Sequence, residues 1–134
     1  MTSYYANKLS ANRLQRCYAL ASPRVQHYLD AEIAHLQSQV KRTDRVLELG
    51  CGYGRVVLEL AGRAQTVVGI DVAEQSLVLA RELARLQFNC KFLAMDALAL
   101  GFEASTFDCV CCVQNGISAF GVDKRLLLQE AWRV

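Results

Sequence analysis

Apolar and polar positions change period several times along the chain, and each change marks an element. Ala11 to Leu20 reads as a helix. Ser22-Pro23 supplies an N-cap followed by a proline in the first turn, which opens a second helix. Val25, Tyr28, Leu29, Ile33, Leu36 and Val40 recur along it at three- to four-residue steps and give it one apolar face. After the polar turn Lys41-Arg42-Thr43-Asp44 the pattern alternates. Short β-branched runs at Arg45–Leu49, Thr66–Ile70, Lys91–Met95 and Phe107–Val113 predict strands. Arg55–Arg63, Glu74–Gln87 and Lys124–Arg133 predict the helices between and after them. Strands alternating with helices imply right-handed βαβ units: an α/β fold with an open parallel sheet and helices on both faces.

Composition narrows the picture without changing it. The chain has 134 residues, 53% of them hydrophobic and 21% charged, which fits a single domain with a real core. Residues 1–42 read as an N-terminal helical cap and 43–134 as the core. The formal net charge is +2 with scattered Lys and Arg, so no nucleic acid and no anionic membrane is expected as a partner. No apolar stretch reaches the roughly 18–20 residues of a membrane span. The opening Met1-Thr2-Ser3-Tyr4-Tyr5 lacks the basic and apolar segments of a secretory signal. Six cysteines are present, but without paired knuckles or a histidine at ligand spacing, so no metal site is expected. They read as buried free thiols of a reducing, cytoplasmic protein.

The chemistry concentrates in Glu48-Leu49-Gly50-Cys51-Gly52-Tyr53-Gly54, between the first strand and its helix. In an open parallel sheet, ligands bind beyond the carboxyl ends of the strands, where strand order reverses. Glycines there permit unusual backbone angles and let a ligand lie against the main chain. The dinucleotide fingerprint G-x-G-x-x-G would need its third glycine at position 55, where Arg55 stands. Asp71 ends the second strand about 20 residues after the glycine turn, where ribose hydroxyls of a bound nucleoside would lie. Asp96 ends the third strand in the same way. Either acid could instead cap the helix or turn that follows it.

The acid-x-G-x-G-x-G spacing resembles motif I of the Rossmann-like, class I S-adenosylmethionine-dependent methyltransferases. The acids at two strand ends, the Phe107-Asp108-Cys109-Val110 strand and the Leu127–Val134 helix match the family in order and spacing. The resemblance implies S-adenosyl-L-methionine as cofactor. It implies that Gly50, Cys51, Gly52 and Gly54 border the methionine portion and that Glu48 faces its positive charge. Asp71 would bind the ribose hydroxyls, Val72 would flank the adenine, Asp96 with the Ala97 amide would read the adenine edge, and Gln114 would close the site near the sulfonium. The cap, with Tyr4, Tyr5 and Tyr18, is expected to cover the cofactor.

A small-molecule acceptor is expected, but no general base can be named. His27 and His35 read as solvated or structural. Members of the family continue into strands five to seven, so the chain resembles one truncated before strand five. The fourth strand is apolar on both faces, as in a strand inside a sheet; left as an edge it would invite self-association or a partner chain. Cys109 and Cys111 alternate with Cys112 along that strand and read as core filling. The alternatives are an NAD-dependent oxidoreductase, and a non-catalytic S-adenosylmethionine-binding fragment without an acceptor half.

Overall fold

The computed structural model describes residues 11–114 and 116–134. Its elements in chain order are α1 (Asn12–Ala19), α2 (Pro23–Gln39), β1 (Arg45–Leu49), α3 (Arg55–Leu60), β2 (Thr66–Asp71), α4 (Glu74–Leu83), β3 (Cys90–Ala94), β4 (Cys109–Cys111), α5 (Gly116–Ala119) and α6 (Lys124–Arg133). Among the described residues the four strands form one sheet in the order β3-β2-β1-β4, every pair parallel. Strand order reverses between β1 and β4, and the carboxyl ends of both point to the same edge of the domain.

Alternation along each strand splits the core into two layers. Val46, Val67, Phe92 and Cys111 face α3 and α4 and meet Val56, Val57, Leu60, Leu77 and Ala80. Ile33 and Leu36 of α2 close that layer. Leu47, Leu49, Val68 and Ile70 face the other way and meet Leu100, Leu127 and Val134. Cys109 and Cys111 belong to the first layer and Cys112 packs on the second, so these thiols fill the core as the alternation implied. Cys17, by contrast, is exposed.

Several boundaries differ from the periodicity. The helix expected to reach Arg63 ends at Leu60, and the one expected to reach Gln87 ends at Leu83. β4 is three residues long, not seven, because its parallel partners on β1 run only from Val46 to Glu48. Phe107 instead donates its amide to the Val134 carbonyl at 2.8 Å. β4 is an outer strand, paired on one side with β1. The four-residue α5 had no periodic signal. Leu29 on α2 and Val40 just after it are buried, but Val25 and Tyr28 are exposed, so only part of the expected apolar face meets the core.

Candidate functional site

The turn after β1 is built from backbone constraints. Gly50, Gly52 and Gly54 all hold positive φ, of 71°, 54° and 85°. Gly50 has a second constraint: a Cβ there would stand 2.9 Å from the Phe120 ring. The Cys51 amide donates to the Ile70 carbonyl at 2.9 Å, which ties the turn to the end of β2.

Asp71 completes that tie. Its Oδ2 accepts from the Gly52 amide and its Oδ1 from the Ala73 amide, both at 2.8 Å. An ionised carboxylate has roughly four acceptor positions, so each oxygen keeps room for a further donor. The side chain is half-buried at the mouth of a pocket.

Glu48 sits deeper. It pairs in register with Gly69 on one side and Cys111 on the other, and it is 2% exposed. Its Oε2 has no hydrogen-bond partner among the described residues. Burial pushes its carboxyl up to about 8; nearby Arg55 opposes this, Asp71 adds to it, and a hydrogen bond from the Val57 amide opposes it. The carboxyl is therefore protonated at neutral pH in this arrangement. Burial, with Glu48 and Asp71 adding to it, also holds the Cys51 thiol well above its ordinary value. Burial first and Glu48 second push Cys112 up to about 11. Neither thiol is an activated nucleophile.

One pocket connects these groups. Glu48, Gly50, Cys51 and Gly52 line it from the β1 side, Asp71, Val72, Ala73 and Ser76 from the β2 side. Val113, Gln114, Gly116 and Phe120 line it from the segment after β4. It therefore opens at the reversal of strand order.

The helices before β1 reach over it. Leu14 and Tyr18 of α1 are part of the lining, and the Ala11 amide anchors the start of α1 on the Ser76 hydroxyl at 2.8 Å. The Tyr18 hydroxyl donates to Gln114 Oε1 at 2.6 Å. The Gln114 amide donates to Glu32 of α2 at 3.0 Å, which holds Gln114 in a left-handed conformation at φ 57°. Arg55 lies between these parts. Its guanidinium stands 5.0 Å from the Tyr18 ring centroid and 3.6 Å from Glu32 Oε2.

Of the expected site residues, the fold thus gathers Glu48, Gly50, Cys51, Gly52, Asp71, Val72 and Gln114 around one cavity. Gly54 supports it from behind: a Cβ there would meet the Phe92 ring at 2.8 Å. Asp96 and Ala97 lie outside the lining. Asp96 is exposed and its Oδ1 accepts from the Leu98 amide at 2.8 Å, while Ala97 is buried in the second core layer. Tyr18 lines the site as anticipated; Tyr4 and Tyr5 fall outside the described residues. His27 and His35 are exposed on α2, away from the lining.

Leu14, Ser76 and Phe120 also line the cavity without a signal in the sequence, where Arg55 stands out only at the place of the absent third glycine. No local pattern marks these residues. They reach the cavity through the docking of α1 on α4 and the return of α5 over Gly50.

Comparison with known proteins agrees with this geometry. Residues 46–134 match the family described as "Methyltransferase domain". The chain is 39% identical over 97 residues to a demethylmenaquinone methyltransferase of Deinococcus radiodurans, covering 67% of this chain and 38% of that protein. It thus spans less than half of that curated relative. Among solved structures, the YcgJ protein of Bacillus subtilis superposes with a TM-score of 0.72 at 26% identity, covering 81% of this chain and 46% of that one. A SAM-dependent methyltransferase of Methanosarcina mazei gives 0.63 at 26% identity, covering 85% and 52%. None of these favours the NAD-dependent alternative. With the glycine turn, the Asp71 bridge and the pocket at the strand reversal, they show that the chain belongs to the class I S-adenosylmethionine-dependent methyltransferase family.

Proposed function

We propose that this chain is the cofactor-binding portion of an enzyme that transfers a methyl group from S-adenosylmethionine to a small-molecule nucleophile. The observation that carries this reading is the pairing, in one pocket, of the Asp71-braced glycine turn with the buried, unpartnered oxygen of Glu48. The residues fit the cofactor. A carboxyl oxygen without a partner at the floor of a pocket calls for a donor or a positive charge from a ligand. Asp71 retains acceptor capacity for two ribose hydroxyls. Gly50, without a Cβ, lets the Phe120 ring close over the turn at the edge of the pocket.

When bound, S-adenosylmethionine supplies an already activated methyl group on a positively charged sulfur. The protein contributes by holding and by excluding water. Glu48 faces the charged end, and Gly50, Cys51, Gly52 and Gly54 shape the wall beside it. Asp71 orients the ribose, and exposed Val72 forms one side of the adenine slot. Asp96 and the Ala97 amide read the adenine edge from beyond the pocket's rim, two and three residues past Ala94, which pairs with Asp71. Gln114, held by Tyr18 and Glu32, closes the end where methyl transfer takes place. Within the segment expected to form a cap, α1 and Glu32 of α2 reach over this arrangement.

A small acceptor is supported by the curated relative's name, which specifies a quinone precursor, and by the scattered charge of this chain. Nucleic acid is not expected as a partner. Among the described residues no helix is long and apolar enough to cross a membrane. The cytoplasm is the proposed location, in keeping with free rather than bonded cysteines.

Titration calorimetry with S-adenosylmethionine and with NAD tests the cofactor reading. Binding of the first and not the second is expected; binding of NAD alone, or of neither, overturns it. Transfer of a labelled methyl group to a panel of phenols and quinols tests the acceptor class.

A further inference from the structure

The methionine end of S-adenosylmethionine carries a carboxylate as well as two positive charges. Glu48, through its unpartnered oxygen, and Asp71 provide acceptors for the ammonium and for hydroxyl donors, but neither carries a positive charge that would attract an anion. Among the described residues lining the pocket, the single cationic side chain is Arg55. It opens α3 one residue after the glycine turn, and its side chain is 16% exposed. Among the described residues its guanidinium makes no hydrogen bond. Glu32 stands 3.6 Å away, beyond hydrogen-bonding distance, and Tyr18 offers only its ring face at 5.0 Å. The planar fork is thus fixed in place with its donors unspent, which is the arrangement that suits a carboxylate.

We propose that Arg55 binds the α-carboxylate of the cofactor, a role that rests on S-adenosylmethionine being the ligand. Tyr18 and Glu32 then act as positioning residues that aim the fork into the pocket. The residue that departs from the dinucleotide fingerprint becomes a recognition element for an amino-acid end group. Glu48 and Arg55 together read the two termini of that group, Glu48 with an unpartnered oxygen that accepts from the ammonium and Arg55 with a directed pair of hydrogen bonds.

The test compares two ligands on the 134-residue chain: S-adenosylmethionine and its decarboxylated analogue, which lacks only the carboxylate. Titration calorimetry of the wild-type chain should show the intact cofactor binding about tenfold to a hundredfold more tightly, the range for a charge-assisted pair lost on one side. Arg55→Gln should weaken the intact cofactor by that factor and leave the analogue unchanged. Arg55→Lys should fall between, since it keeps the charge without the fork. The analogue serves as a control for folding in each variant. Equal loss of both ligands in Arg55→Gln would mean that Arg55 only holds the cap, and would overturn the proposal. Equal affinity of the wild-type chain for the two ligands would overturn it independently of any variant. Failure of the wild-type chain to bind S-adenosylmethionine at all would instead sink the cofactor reading beneath it.

Discussion

Asp71 ends β2, Asp96 follows the end of β3 by two residues, and the two look alike in the sequence, yet their surroundings differ. Asp71 reaches back 19 residues to the Gly52 amide and forward to Ala73, bracing the glycine turn at the pocket mouth. Asp96 reaches only two residues, to the Leu98 amide, and stands exposed beyond the lining. The first acid joins two βα units, whereas the second organises its own turn. A strand end thus specifies where a carboxylate is placed. The neighbouring unit specifies what it bridges.

The largest effect should come from the bridge. Asp71→Ala removes both the turn brace and the proposed ribose acceptor, and affinity for S-adenosylmethionine should fall by about a hundredfold or more in calorimetry. Retained affinity would leave Asp71 no different from a turn residue and would end the contrast. Gly69→Ala examines the packing under the same turn. A Cβ there would lie 2.8 Å from the Cys51 side chain and 2.9 Å from Val57. Stability in urea should drop by about 1–3 kcal/mol, as for other overpacked sites, with an unchanged denaturant slope. A neutral result would show that Cys51 shifts freely and that the turn is not packed in place.

Glu48 gives the next effect. Its carboxyl is raised from 4.5 to about 8, so between these values the folded chain holds a proton that the unfolded chain has released. This contribution to stability is full below about pH 4.5 and is lost as pH rises toward 8. Glu48→Gln keeps the polar shape without the titration. Its stability should decline less steeply than the wild type across that window, measured by urea midpoints at several pH values; superimposable profiles would contradict the burial argument. The smallest effect is expected at Asp96. Asp96→Ala should lower cofactor affinity about threefold to tenfold and stability by less than about 1 kcal/mol, because its contacts are local and solvent-exposed. A loss as large as that of Asp71→Ala would erase the distinction between the two acids.

Much of the frame was legible beforehand. β1 and α6 begin and end where the periodicity placed them, since alternation and the Asp123 N-cap are local signals. β4 is shorter than the apolar run around it, because such a run announces burial without saying how much of it finds a strand partner. Phe107, at the start of that run, bonds elsewhere, to the Val134 carbonyl. Val25 and Tyr28 obeyed helical spacing and still face solvent, because α2 meets the core through its later turns.

The sequence by itself determined the parallel α/β frame, the glycine turn and the acids at or near the ends of β1, β2 and β3. Those features depend on side-chain period and on backbone angles that few residues tolerate, both readable within short windows. Only the tertiary structure decided that Glu48 is sealed between Gly69 and Cys111, that Phe120 covers Gly50, and that Arg55 lines the pocket beside Tyr18 and Glu32. Such relations depend on contacts between distant segments, such as the 96 residues separating Tyr18 from Gln114. No local pattern encodes them, because they form only when helices and loops dock on a sheet already in place.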